Sequence, residues 1–228
     1  YACAMAKDGP GADVADHFDK INILDEEAII KHIKENEISL VYSVGSDLAI
    51  PVACSISEKL QMPAFVSRKT ACICNNKLLM RSTLGNDFKG NVKFQAITNK
   101  TDKLELDFPF ILKPADSQGQ RGISLVKSLD EYLESYEIAK KYSRSGLVIA
   151  EQYISGPELS VNGYLVGGEL KYLIASDRVT WSEYTGLIHK HIVPTTNLTS
   201  ETSDMLRDTI QSACKKLGIT NGPVYAQM

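Results

Sequence analysis

A mixed α/β fold is expected for this chain, α/β in its first third and α+β beyond it. Three observations carry that expectation. Residues 1–75 alternate short apolar runs with helical spacings, the strand–helix–strand order of half a doubly wound, Rossmann-like sheet. Residues 76–228 open on a short helix, group several strand-like runs around one strong helix, and close on a long helix and a further apolar run. With 228 residues, 43% hydrophobic and 23% charged, the chain can bury a sizeable core in one large or two smaller domains. The domain boundary is drawn between residues 75 and 76.

Asp8-Gly9-Pro10-Gly11 reads as a turn, with one helical turn over 12–17. Asp25 is placed to cap a helix with Glu26 and Glu27 in its first turn and Lys31, His32 and Lys34 near its end. Residues 38–43 read as a short buried strand. Ser46 or Asp47 then caps a helix through Ala49, Val52, Ile56 and Leu60, with Pro51 tolerated in its first turn. Met62-Pro63 ends that helix, and 64–66 reads as another strand. A short helix over 76–84 opens the second part. A Lys- and Asn-rich stretch follows, with one strand at 92–97. Ser128 caps a helix over 129–142, and runs at 147–153, 159–166 and 170–179 read as strands, the last two joined by Gly167-Gly168. Ser200 is placed as the cap of a final helix over 201–217, ended by Gly218.

The net charge of −3 gives no basic field toward nucleic acid or anionic membrane. No apolar run approaches the roughly 20 residues of a membrane span. Five scattered cysteines read as reduced structural thiols and point to the cytoplasm. Cys72-Ile73-Cys74 is too tight for a zinc half-site. The chain begins at Tyr1 without a signal-peptide pattern and stops inside the run Gly222-Pro223-Val224-Tyr225-Ala226-Gln227-Met228, and so reads as a fragment trimmed at both ends.

The stretch from Phe108 to Val126 holds the densest chemistry. A strand ends at Lys113, a polar loop carries Gln118, Gly119, Arg121 and Gly122, and a second strand follows. A basic side chain beside a loop of exposed N–H groups can hold phosphate. By itself the stretch reads equally as an ordinary hairpin with a surface lysine. No Gly-x-x-x-x-Gly-Lys-Ser/Thr loop and no Gly-x-Gly-x-x-Gly fingerprint occurs, which argues against a P-loop and against a dinucleotide-binding Rossmann protein.

Further motifs narrow the choice. Asn76-Lys77-Leu78-Leu79-Met80-Arg81 resembles the Asp-Lys-x-x-x-Lys/Arg helix of the ATP-grasp superfamily, with Asn76 in place of Asp. Pro109-Phe110-Ile111-Leu112-Lys113-Pro114 resembles that superfamily's lysine strand. Glu151-Gln152-Tyr153-Ile154 with Gly156-Pro157-Glu158-Leu159-Ser160-Val161 resembles its hinge. The likeness covers almost the whole chain and is nearest to the carbamoyl-phosphate synthetase large subunit and biotin carboxylase group of carboxylate–amine ligases.

The resemblance implies a partial pre-ATP-grasp domain at 1–75 and an ATP-grasp domain at 76–228 that stops before its last strands. It implies ATP and Mg2+ as cofactors. Lys77 and Lys113 would contact phosphates. Gln118, Gly119, Arg121 and Gly122 would belong to a lid closing over the triphosphate. The hinge Glu151, Gln152, Tyr153 and Ile154 would border adenine, with backbone groups of Glu151 and Tyr153 facing its edge, and Glu158 would accept from the ribose hydroxyls. Apart from the resemblance, His189, beside Gly186, reads as a substrate-facing or nucleotide-contacting residue. Gln227 would be one metal ligand, although one neutral amide cannot hold magnesium. No side-chain nucleophile is called for. The reaction implied is attack of a carboxylate or bicarbonate on the γ-phosphate, giving an acyl phosphate that an amine then captures. The fragment alone would be inactive.

Other readings stay beside these. Lys77 also reads as a helix-surface lysine, and Glu158 as the partner of a surface lysine. His189-Lys190-His191 reads as a surface pair of imidazoles ahead of any metal site, and Trp181 and Tyr184 fall in a loop between strands. A non-catalytic nucleotide-binding or regulatory module is the alternative to a ligase. Neither nucleic acid nor membrane is an expected partner, and a homodimer is compatible with the sequence.

Overall fold

The computed structural model describes residues 1–43, 45–117, 119–181 and 187–228. They form two compact units, Tyr1–Asn75 and Asn76–Met228. The mixed α/β class is the one expected.

In the first unit, strands β1 (Ala2–Ala4) and β2 (Phe18–Lys20) pair in parallel around helix α1 (Pro10–Val14). Asp25 caps α2 (Glu26–Glu35), its carboxylate accepting from the Ala28 N–H at 3.0 Å. Helix α3 (Ala49–Leu60) takes Pro51 in its first turn and ends on Gln61 in the left-handed region. Ser46 Oγ accepts from the Ala49 N–H at 3.3 Å, so Ser46 does the capping work although Leu48 is the boundary residue. Helix α4 (Arg68–Asn75) packs on α3. Glu26 ties α2 to α3, accepting from Ser55 Oγ at 3.0 Å and Lys59 Nζ at 2.5 Å.

Neither strand expected at 38–43 and 64–66 forms. A strand of a doubly wound sheet is buried on both faces, whereas Leu40 and Tyr42 are 54% and 61% exposed. The two segments meet instead through the rings of Tyr42 and Phe65, 5.8 Å apart, with no backbone ladder between them.

The second unit opens with α5 (Lys77–Leu84), capped by Asn76, whose side chain accepts from the Leu79 N–H at 3.0 Å. Strands β3 (Phe94–Ile97), β4 (Phe110–Pro114), β5 (Ser124–Val126) and β6 (Val148–Gln152) form an antiparallel sheet in the order β3-β6-β4-β5. Helix α6 (Leu129–Tyr142) covers one face, burying Tyr132, Tyr136 and Ala139 against Phe110, Leu112, Val148 and Ala150. Those helix positions recur at one-turn and two-turn spacing, so they lie on one stripe. The buried tyrosines place their hydroxyls on backbone carbonyls, Tyr132 on Lys100 at 3.1 Å and Tyr136 on Thr98 at 2.9 Å.

Strands β7 (Leu159–Val166), β8 (Glu169–Thr180), β9 (Ile188–Ile192) and β10 (Gly222–Gln227) form a second antiparallel sheet in the order β10-β7-β8-β9. Gly167 and Gly168 make the β7–β8 turn with φ of 60° and 82°, the pair of positive values a two-residue hairpin turn asks for. Helix α7 (Ser200–Leu217) packs Leu206, Ile210 and Cys214 on Leu159, Val161 and Leu165. Its cap is Thr199, not Ser200. The Thr199 hydroxyl accepts from the Thr202 N–H at 3.2 Å while Thr202 Oγ1 accepts from the Thr199 N–H at 2.8 Å. Ser200 is the first helical residue and cannot make that reciprocal pair. No helix among the described residues is long and apolar enough to cross a membrane.

Candidate functional site

Alternation along β4 sends Phe110 and Leu112 into the α6 core and leaves Ile111 and Lys113 on the opposite face. On β6 the same face carries Ile149 and Glu151. The register pairs Ile111 with Glu151 and Lys113 with Ile149, so Lys113 and Glu151 are diagonal neighbours. Their side chains meet at 2.7 Å, Nζ to Oε2, with only 16% and 7% of their side-chain surfaces exposed.

A third group completes this cluster. Arg81 stands one turn after Lys77 on α5, so the two share a helix face. Its Nε and Nη2 donate to the two Glu151 oxygens at 3.1 and 3.3 Å, and its Nη1 donates to Asn91 Oδ1 at 3.0 Å. Asn91 in turn gives its amide hydrogens to the carbonyls of Arg81 and Gly85, at 2.9 and 3.0 Å, fastening the end of α5. Burial works against ionisation of Glu151, but Lys113 and then Arg81 outweigh it and hold the carboxyl below the usual glutamate range. Two cations thus face one buried carboxylate.

Lys77 begins α5 where its backbone N–H donates to Ala115 O at 2.9 Å, two residues past Lys113. Its ammonium donates to Ser117 O at 2.5 Å, at the entrance of the polar loop. Both lysines singled out in the sequence therefore flank the end of β4. The loop is pinned on its other side by Asp116, which accepts from Ser143 Oγ and the Arg144 and Ser145 N–H groups at 2.8–2.9 Å.

The loop glycines differ in surroundings. Gly119 has φ +70° and open space around it. Gly122 has φ +72°, and a Cβ there would lie 3.1 Å from Pro114 and Tyr142 side chains and 3.3 Å from Ala139 Cα. Gly122 is thus a packing residue beneath α6 as well as a loop residue. Arg121 is exposed. Gln118, Tyr184 and Gly186 lie outside the described residues.

Gln152 closes β6, its backbone N–H donating to Lys93 O at 2.9 Å, and Tyr153 and Ile154 follow it, 40% and 62% exposed. Glu158 belongs to a separate polar cluster on the second sheet. It pairs with the buried guanidinium of Arg178, and it accepts from Gln227 Nε2 at 3.1 Å. The structure thus joins two residues that the sequence assigned to different tasks. Next along β8, Asp177 accepts from Thr195 Oγ1 and from the Thr196 N–H and hydroxyl, the latter two at 3.0 and 2.8 Å; these bonds, the Thr195 hydroxyl foremost, push its carboxyl far down. The His189 ring lies against Trp181 at a 50° tilt, ring centroids 4.1 Å apart, while His191 Nδ1 lies 3.3 Å from Ser176 Oγ. The two imidazoles thus have separate partners.

Magnesium is poorly served here. Among the described residues no group of three or more His, Cys, Asp or Glu side chains could hold a metal ion. Gln227 offers one neutral amide oxygen, and the neighbouring Glu158 is already engaged by Arg178. That set does not fit an octahedral oxygen site.

The ATP-grasp domain family matches residues 106–228, more than half of the chain. The chain belongs to the ATP-grasp family. Among curated proteins, this ATP-grasp chain is 26% identical over 162 residues to a formate-dependent phosphoribosylglycinamide formyltransferase of Prochlorococcus marinus, covering 67% of the chain and 41% of that protein. Among solved structures, the ADP complex of the N5-carboxyaminoimidazole ribonucleotide synthetase PurK superposes with a TM-score of 0.80 at 19% identity, covering 99% of the chain and 58% of PurK. The biotin carboxylase domain of the Hydrogenobacter thermophilus 2-oxoglutarate carboxylase, solved with MgADP, ADP and bicarbonate, gives 0.77 at 17% identity, covering 97% and 52%. The chain spans about two fifths of the curated relative's length. At these identities the solved neighbours speak to fold.

Sequence reasoning quoted Arg81 only as the end of a motif and passed over Arg178 and Asp177. The four-residue step from Lys77 was the available signal for Arg81. Arg178 and Asp177 had none, because their partners at 158 and 195–196 are reached only through sheet register.

Proposed function

We propose that this ATP-grasp chain is the nucleotide-binding part of an ATP-dependent carboxylate–amine ligase. The first unit is read as the preceding α/β domain and the second as the nucleotide-binding domain. The observation that carries the proposal is the placement of Lys77 and Lys113 at the mouth of one Gly-containing loop, beside a buried carboxylate outnumbered by cations. Such a site has positive charge to offer a polyphosphate.

In this reading Lys77, Lys113 and Arg121 meet the phosphates and Gln118, Gly119 and Gly122 shape the loop over them. Residues Glu151, Gln152, Tyr153 and Ile154 border the base, Glu158 takes the ribose, His189 faces the nucleotide, and Gln227 orients Glu158. An acceptor carboxylate oxygen attacks the γ-phosphorus. The bond to the β–γ bridging oxygen breaks, ADP leaves, and an acyl phosphate forms. An amine then adds to the acyl carbon, loses a proton and expels phosphate. The chain's own residues position and neutralise; none forms a covalent bond. Bicarbonate is the finer choice of acceptor, supported by the bicarbonate bound in the Hydrogenobacter thermophilus biotin carboxylase domain. A nucleotide-binding module without catalysis is the alternative reading.

Calorimetric titration of the full-length protein tests the reading. ATP is expected to bind and NAD not to, and Lys113→Ala should weaken ATP by about tenfold or more. Tighter binding of NAD, or ATP binding indifferent to Lys113→Ala, overturns it. A screen for ADP release over carboxylates and amines separates ligase from module.

A further inference from the structure

We propose that Arg81 is a positioning residue whose charge decides whether Lys113 is available to phosphate; this rests on the nucleotide reading above. Lys113 and Glu151 alone would make a neutral pair. A lysine locked to a buried carboxylate has little field left for a ligand, because each phosphate contact must compete with a partner 2.7 Å away. Arg81 alters that balance. Its side-on grip reaches both Glu151 oxygens, and a guanidinium suits such two-point contact with a carboxylate better than an ammonium does.

With Glu151 already matched by Arg81, the positive charge of Lys113 is surplus. The cluster is one anion short of neutrality in a place where uncompensated charge is costly. A phosphate group supplies that anion. Lys113 can turn to it without leaving a bare carboxylate behind, since Arg81 stays on Glu151. Asn91 makes the arrangement durable, holding both the Arg81 guanidinium and the last turn of α5. Arg81 thus acts on the ligand only through Glu151 and Lys113.

The test compares ATP, adenosine and inorganic tripolyphosphate by calorimetry on the full-length protein and on Arg81→Met, Arg81→Lys and Glu151→Gln. Arg81→Met is expected to weaken ATP and tripolyphosphate by a similar factor, about tenfold, and to leave adenosine unchanged. Arg81→Lys should recover part of the loss, since it restores the charge but not the two-point grip. A residue that merely holds the fold would weaken adenosine equally. The proposal is overturned if Arg81→Met binds tripolyphosphate like the unsubstituted protein, if adenosine falls in step, or if Arg81→Lys is no better than Arg81→Met. Should Arg81→Met fail to fold by circular dichroism, Glu151→Gln decides: it must bind tripolyphosphate at least as tightly as the unsubstituted protein, and weaker binding overturns the idea. Tripolyphosphate binding without any preference for ATP would sink the nucleotide reading while still scoring Arg81. No binding of either sinks both.

Discussion

Gly122 shows how much one position can carry. Its backbone sits at φ +72°, and the space a Cβ would need is already bounded by Pro114, Tyr142 and the α6 backbone at Ala139. Gly122→Ala should destabilise the second unit by about 1–3 kcal/mol, from left-handed strain and crowding together. Gly119→Ala meets only the strain, about 1 kcal/mol. Urea unfolding of both variants checks this, and equal midpoints would refute the packing role. The sequence placed both glycines in one loop and could not separate them, because the neighbours of Gly122 lie on β4 and α6. Lys113 is a similar case. Its position at a strand end was legible from the apolar run before it, but its pairing with Glu151, 38 residues away, depends on which strand lies beside β4.

At the level of elements, local chemistry was readable wherever cap and stripe lie within a few residues of each other. Asp25, Asn76 and Ser128 each accept from the N–H three residues on. The start of α7 differs by one residue because Thr199 and Thr202 satisfy each other, a reciprocal pair that Ser200 cannot make. Thr199→Ala should therefore cost about 1 kcal/mol, whereas Ser200→Ala should stay within about 0.5 kcal/mol. The reverse order in thermal or urea unfolding would restore Ser200 as the cap. The segments at 38–43 and 64–66 failed as strands for a related reason. An apolar run states a wish for burial, while a ladder needs a second backbone at the right spacing. Here the rings of Tyr42 and Phe65 meet, and the backbones do not pair.

Across the described residues, five carboxylates, those of Glu26, Asp102, Asp116, Glu151 and Asp177, are held below their usual range. Burial opposes ionisation of Glu151, but Lys113 and Arg81 prevail. Hydrogen bonds from Thr195 and Thr196 lower Asp177. Burial also opposes Asp116, but Ser143, Ser145 and Arg144 prevail. A carboxyl with a depressed folded pKa contributes stability in full above its unfolded value and loses it as pH falls toward the folded value. The urea midpoint should therefore drop as pH is lowered from about 5 toward 3. Glu151→Gln should flatten part of that drop. A midpoint that holds steady or climbs over the same range would contradict the sign.

The sequence by itself determined the mixed α/β class, the ATP-grasp likeness, the lysines at 77 and 113 and most helix limits. Each of these is written in residues close along the chain: periodic apolar faces, caps three residues from their targets, motifs of a few positions. Only the tertiary structure decided that Arg81, Glu151 and Lys113 form one buried charge cluster, that Glu158 lies with Arg178 and Gln227, and that Gly122 is a packing residue. Those relations arise where strands distant in sequence come to lie side by side, and the register that aligns them is set by the packing of whole sheets against α6 and α7.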